Sequence, residues 1–328
     1  MRGTAGRAAW ILLHLVAGGA ALASATGLAQ PYPDRPLRFV IPFPPGGGAD
    51  NLARIVGQKV GDNLHQQIVI DNRAGAGGNI AAEVVARATP DGYTLLQGNV
   101  AHTISRSLYR KLNYDFVKDF TPVTQLASIP FVLLVSPALP ASSVKDLIAL
   151  AKAKPGELNY ASSGSGGPSH MAMELFKSMA GAEIRHIPYK GAAPAATDVI
   201  AGRVQMMFFT LSAGLPHVKS GKLKPLAIAG ARRVPQAPDV PTVNEAGVPG
   251  FEATTWFGVM VPAGTPNPVI SQLHGAFSAA LNAPEVRERL LAQGFELVGS
   301  TPKQFAAYIK AEIPKWANVV KASGAAVD

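Results

Sequence analysis

Three times in this chain an apolar run of strand length ends in a glycine-rich loop that opens a helical stretch. That cadence restricts the fold more than any other feature of the sequence. Leu37 to Phe43 runs into Pro44-Pro45-Gly46-Gly47-Gly48, after which Asp50 reads as a helix N-cap and Leu52, Ile55, Val56 and Val60 recur at helical spacing. Gln67 to Ile70 leads through Arg73-Ala74-Gly75-Ala76-Gly77-Gly78 into an Ala-rich helix, Ile80 to Ala88. Leu158 to Ser162 leads through Ser163-Gly164-Ser165-Gly166-Gly167 into a helix from Ser169 to Met179. Strand, glycine loop and helix in that order are the signature of a mainly parallel sheet flanked by helices, the α/β class. Tyr93 to Leu96 adds a strand closed by Gly98-Asn99, and Pro130 to Ser136 another after the pattern changes near Phe120. Further strands are predicted at 183–188, 205–209, 223–229 and 255–261. Helices are predicted at 143–153, 194–201, 268–293 and 302–321, with Pro284 interrupting the third and Asn282 capping its second half. At 328 residues the chain is long enough for two such units, the second from about residue 120 to 222.

Composition narrows the function classes. Apolar residues make up 48% and charged residues 16%, which excludes intrinsic disorder. There is no cysteine, so thiol catalysis, disulfide frameworks and cysteine-ligated zinc or iron–sulfur centres are excluded. The net charge of +9 invites a nucleic-acid reading. The basic residues are scattered, however, and the densest groups, Arg232-Arg233 and Lys219-Lys222-Lys224, lack interleaved aromatics, so they read as a solvated face. Residues 1–29 carry Arg2 and Arg7, an apolar stretch from Ala8 to Ala25 and small residues at Gly27-Leu28-Ala29, the pattern of a cleavable signal peptide. Cleavage after Ala29, or alternatively at Ala23-Ser24-Ala25, gives an exported protein. With no cysteine at the cleavage point it is not lipid-anchored, and no later apolar run reaches spanning length.

The glycine loops mark where chemistry can occur. In doubly wound sheets ligands lie at the carboxyl ends of strands, where helix N-termini present free N–H groups and a positive dipole end to carboxylates or phosphates. No loop ends in the Gly-Lys-Ser/Thr of a phosphate loop, and Gly75-Ala76-Gly77-Gly78 lacks the dinucleotide spacing. Ser163 to Gly167 approximates a nucleophile elbow around Ser165, but the glycine two residues before the serine is missing. No His-Glu-x-x-His or clustered ligand set points to a metal, and no paired carboxylates point to acid–base work. Composition and motifs thus describe a binding site without a reaction, needing no metal and no cofactor.

Tyr32-Pro33-Asp34-Arg35-Pro36, Val40 to Asp50, Asn72 to Gly78, Pro90-Asp91-Gly92-Tyr93-Thr94-Leu95-Leu96, Tyr160 to His170, Pro188-Tyr189-Lys190-Gly191 and Leu215 to Leu223 together resemble the Bug-type receptors, periplasmic solute-binding proteins of tripartite tricarboxylate transporters. The resemblance implies a two-lobed periplasmic binding protein with its ligand cleft between the lobes. Residues 30–120 and 225–328 would form lobe 1, and 121–224 lobe 2. It implies a small carboxylate ligand, hinge closure, membrane permease subunits as partners and a monomeric state. Carried over, Phe43, Gly46, Gly47, Gly48 and Ala49 would touch the ligand from the first loop, and Ala76 and Gly77 from the second. Asn99 and His102 would join them. From the other lobe would come Ser162, Ser165, Ser169 and His170, together with Tyr189 and Lys190. One departure stands out: after Val204 to Phe208 the family has an Asp-Asn pair where this chain has Phe209-Thr210. Loss of the acid and gain of a ring imply a ligand with a larger apolar or aromatic body, unless Phe209 points into the core. Two rival readings are a ligand-loaded co-receptor for a sensor kinase and an exported serine hydrolase using Ser165.

Overall fold

The computed structural model describes residues 32–326. The signal segment expected over residues 1–29 lies outside them. One long strand organises the rest. β4 (Phe120–Val135) belongs to two sheets in succession, with residues 120–130 pairing in the first and 131–135 in the second. The first sheet places β2 (Ile68–Asn72), β1 (Leu37–Ile41) and β3 (Thr94–Asn99) parallel to one another. β9 (Thr254–Pro262) then runs antiparallel between β3 and β4, and β10 (Glu296–Leu297) pairs with β4. The second sheet continues from β4 through β7 (Met206–Thr210) and β5 (Asn159–Ser162) to β6 (Arg185–Pro188), with β8 (Lys224–Ile228) also paired to β4.

Helices connect the strands on both faces. In the first half these are α1 (Gly48–Leu64), α2 (Asn79–Ala86) and α3 (Val100–Leu108). The second sheet carries α4 (Val144–Ala153), α5 (Pro168–Ala180), α6 (Ala192–Ile200) and α7 (Leu211–Lys219). The chain ends with α8 (Asn267–Asn282), α9 (Pro284–Ala292) and α10 (Pro302–Ser323). Each sheet has its own core. Leu96, Val100, Phe116, Trp256, Phe305 and Trp316 are packed in one; Leu133, Tyr160, Phe176, Phe208, Phe251 and Ala253 in the other. The architecture is that of a two-lobed α/β binding protein.

Several departures from the sequence reading have local causes. β4 begins ten residues before the predicted 130–136 strand. Its first half is covered on both faces, so the apolar alternation that marks a half-exposed strand is missing, and Pro122 sits where the register with β9 shifts. α3, α7 and β10 were not anticipated; α7 carries Gly214 and Pro216, residues that read as a turn. α1 starts at Gly48 with Gly47 as its cap, so Asp50 lies inside the first turn rather than at the cap. Pro284 does break the C-terminal helix, but Ala283, not Asn282, caps its second half. The expected return to the first unit at residue 225 falls inside the second core. Leu226, Ala227, Ala229, Val243, Val248 and Phe251 all pack there, because β8 pairs with the second half of β4.

Gly258 shows how tightly the first sheet is covered. A Cβ added there would stand 2.2 Å from Cζ of Phe305 and 2.8 Å from the carbonyl oxygen of Thr124. The backbone oxygen cannot move aside, so Gly258→Ala should lower stability by about 1–3 kcal/mol in urea unfolding. Unchanged stability would show that α10 does not pack on β9 this closely.

Candidate functional site

Two adjoining chambers lie where the sheets meet. The smaller, of about 90 Å³, is lined by Phe43, Pro44, Pro45 and Gly47 to Ala49 from the first loop and the start of α1. Its other walls come from Phe131, Ser163, Pro168 and Ser169, from Gly191 to Pro194, from Met207 to Thr210, and from Thr255 and Phe257. A single water needs roughly 10–15 Å³ measured this way, so the chamber admits a small organic molecule. The larger, of about 610 Å³, is lined by Pro42 to Pro44, Ala74 to Gly78 and Tyr109 on one side. Ser163 to Ser165, Gly167, Tyr189 and Lys190 face them. Phe43, Pro44 and Ser163 belong to both chambers.

The smaller chamber is built from helix beginnings. First-turn residues of α1, α5 and α6 line it, as does Thr210, the cap of α7. Three of these four caps, Gly47, Gly167 and Gly191, are glycines, and none of the four helices has a side-chain cap bond. Of the other described helices, Asn99, Ser143 and Thr301 cap α3, α4 and α10 through their side chains, while α2, α8 and α9 also start without a side-chain cap. The four ends therefore bring unsatisfied N–H donors and positive dipole ends to one cavity. No charged side chain lines it. Such a site suits an anion whose charge is shared among backbone donors. The nearest acid on α1, Asp50, is 3% exposed and turned away into its own partners. It accepts from the Gly46 N–H, Arg54 and Asn72. Burial works against its charge, but these bonds hold its carboxyl below the usual range.

The walls approach closely because they are glycine. A Cβ on Gly48 would stand 2.9 Å from Oγ of Ser212 and 3.0 Å from Oγ1 of Thr210. One on Gly191 would stand 3.0 Å from Cγ of Pro44, and one on Gly77 3.3 Å from the carbonyl oxygen of Ser165. At each point a loop of the first sheet meets a loop of the second.

The structure divides the expected contacts into two groups. Phe43, Gly47, Gly48, Ala49, Ser169, Phe209 and Thr210 line the smaller chamber; Phe43, Ala76, Gly77, Ser165, Tyr189 and Lys190 line the larger. Phe209 is 1% exposed and its ring packs toward His217 on α7, with centroids 6.2 Å apart. Gly46, Asn99, His102, Ser162 and His170 line neither chamber: Gly46 is exposed in the first loop, and the other four are buried behind the wall as supports. Asn99 caps α3, and His102 Nδ1 accepts from the Asn99 N–H while its Nε2 lies 3.4 Å from the Gly78 carbonyl oxygen, behind the second glycine loop. His170 Nδ1 accepts from the Gly166 N–H, and Ser162 Oγ accepts from the Gly164 N–H, so this pair shapes the serine–glycine loop from beneath. Sequence reasoning passed over Pro44, Pro45, Phe131, Ser163, Ala192 to Pro194, Thr255 and Phe257. The Gly191 loop could have been found, since it repeats the strand–glycine–helix cadence a fourth time.

Under the serine–glycine loop lies a stack of rings. His170 and His186 are 4.0 Å apart, His186 and Tyr160 4.8 Å. The Tyr160 hydroxyl donates to Glu174, which Lys177 also contacts at 2.7 Å. Ser162 Oγ lies 2.6 Å from His186 Nε2, but Ser162 is fully buried and reaches neither chamber. Ser165, the residue of the hydrolase reading, has no such histidine partner among the described contacts.

With fold and site in view, the comparisons place the chain. Its fold and cleft are those of periplasmic solute-binding receptors. The sequence profile described as "Tripartite tricarboxylate transporter family receptor" matches residues 52–325, and the chain belongs to that family. It is 40% identical to Protein BugT of Bordetella pertussis over 299 residues, covering 90% of this chain and 92% of that protein. Among solved structures, Rpa4515 of R. palustris with adipate superposes with a TM-score of 0.87 at 40% identity, covering 90% of this chain and 99% of that one. MatC from Rhodopseudomonas palustris with bound malate gives 0.84 at 35% identity, covering 88% and 100%. The chain is a solute-binding receptor, not an enzyme. No helix among the described residues is long and apolar enough to cross a membrane.

Burial pushes His170 down to about 4, with Lys177 adding to it; burial and then the neighbouring His170 push His186 down to about 3. Both folded values lie below the free value near 6.5, so the unfolded chain takes up protons first as pH falls. Their contribution to stability is complete above about pH 6.5 and is lost between there and the folded values, about 4 for His170 and about 3 for His186. The urea midpoint should therefore drop between pH 7 and 5, and His186→Gln should flatten that drop. An equal slope in the variant would remove the ring stack from the pH response.

Proposed function

We propose that the chain is an exported, monomeric periplasmic receptor that captures a small carboxylate in the cleft. It closes about a hinge and delivers its cargo to the permease subunits of a tripartite-type transporter. The observation that carries this reading is the convergence of four helix N-termini without side-chain caps on one cavity that lacks charged side chains. A carboxylate bridging α1 on one side and α5, α6 and α7 on the other gains contacts available only when both are close. Adipate and malate in the two relatives support this ligand class. We place lobe 2 at residues 131–253 and lobe 1 on either side of it. The hinge then falls where the chain crosses between the sheets, inside β4 and just before β9.

Calorimetry on a panel of aliphatic and aromatic carboxylates tests the reading. Ligand at a hundred times its dissociation constant should add about 2.7 kcal/mol of stability. Gly48→Ala forces α1 off Thr210 and Ser212, and should weaken binding of any acid that the parent binds by tenfold or more. Silence across the panel, or full affinity in Gly48→Ala, would overturn the carboxylate site.

A further inference from the structure

We propose that Thr255 is a ligand contact, reading a neutral hydroxyl or carbonyl at the far end of a carboxylate with an apolar body. This inference rests on the carboxylate reading and adds to it the chemistry of the ligand's other end. Thr255 is 2% exposed, lines the smaller chamber, and its Oγ1 has no hydrogen-bond partner. Other buried polar atoms without partners among the described residues, on Asn79, Gln97, Asn99, Ser105, Ser212, Gln236 and Trp256, belong to side chains that line neither chamber. A buried hydroxyl left unsatisfied is costly, and natural structures keep such groups where a ligand or water completes them.

Strand geometry assigns its direction. Side chains alternate along β9, and Trp256 turns to the face where it meets Phe305 and Tyr308. Thr255 and Phe257 therefore share the opposite face, and both line the chamber. The chamber that Thr255 lines is walled largely by Phe43, Phe131, Phe257, Pro168 and Pro194. Its other polar side chains are the hydroxyls of Ser163, Ser169 and Thr210, and no charged side chain lines it. A second carboxylate would meet no cation there, and a desolvated charge without a partner is strongly disfavoured. A hydroxyl or carbonyl matches Thr255, which both donates and accepts.

The position also ties the contact to the crossing between sheets. Thr255 pairs with Ile129 and Thr254 with Pro130, at the point where β4 passes from one sheet to the other. A ligand bonded to Thr255 is thus attached to the crossing strand itself, while its carboxylate engages loops of both lobes.

The test is calorimetry with two matched pairs, benzoate against 4-hydroxybenzoate and hexanoate against 6-hydroxyhexanoate, with adipate as the doubly charged control. The wild-type protein should bind the hydroxyl-bearing member of at least one pair tenfold or more tighter than its partner. It should bind adipate more weakly than 6-hydroxyhexanoate. Thr255→Val keeps the shape and strand preference while removing the hydroxyl, and should erase the difference, leaving the unsubstituted acid within twofold. Thr255→Ser should retain it. Binding of the simple acids with no hydroxyl preference, or a preference that survives Thr255→Val, would overturn this role and leave the carboxylate site standing. Binding of none of the five would overturn both.

Discussion

Everything at this site depends on an electrostatic arrangement made without charged side chains. α1, α5, α6 and α7 end their connecting loops at one small chamber, and each arrives with backbone donors that its own side chains do not satisfy. Four partial positive ends inside a cleft act more strongly than they would at an open surface. Arg or Lys in the same place would bind anions more tightly. Backbone donors are fixed by the fold and lose little conformational freedom on binding. The glycines at 48 and 191 follow from the same requirement, since a Cβ at either would stand within about 3 Å of the facing loop.

The fold supplies this arrangement through one strand. Because β4 serves both sheets, the loops of β1 and β2 face those of β5, β6 and β7 across a gap spanned by few covalent crossings. The two cores pack separately, each against its own sheet. Behind the loops, buried polar groups hold the backbone in place: His102 and Asn99 beneath the second glycine loop, His170 and Ser162 beneath the serine–glycine loop. Neutral imidazoles fit these positions because burial disfavours their charged form.

Much of this was legible in the sequence. The strand–glycine–helix repeat marked three glycine loops of the cleft and left out the Gly191 loop, and the residues from Val40 to Asp50 and from Tyr160 to His170 carried the family resemblance. What stayed hidden depends on long-range pairing. Nothing local shows that residues 120–129 form half of a shared strand, or that 226–253 return to the second core. Asn99, His102, Ser162 and His170 sit in the right stretches, but their side chains point behind the loops, which periodicity in a loop cannot reveal. Thr255 and Phe257 read as ordinary strand residues until β9 is placed beside the cavity. Phe209 lies at the cavity wall with its ring toward His217.

The central claim is that backbone amides at the helix starts hold the anion. Proton–nitrogen correlation spectra of the labelled protein, titrated with a bound carboxylate, address it directly. The account predicts that the amide resonances of Gly48, Ala49, Ser169 and Ala193 move together, at one dissociation constant, as their protons gain a charged acceptor. Shifts confined to Lys190 and the larger chamber, with those four amides unmoved, would contradict it.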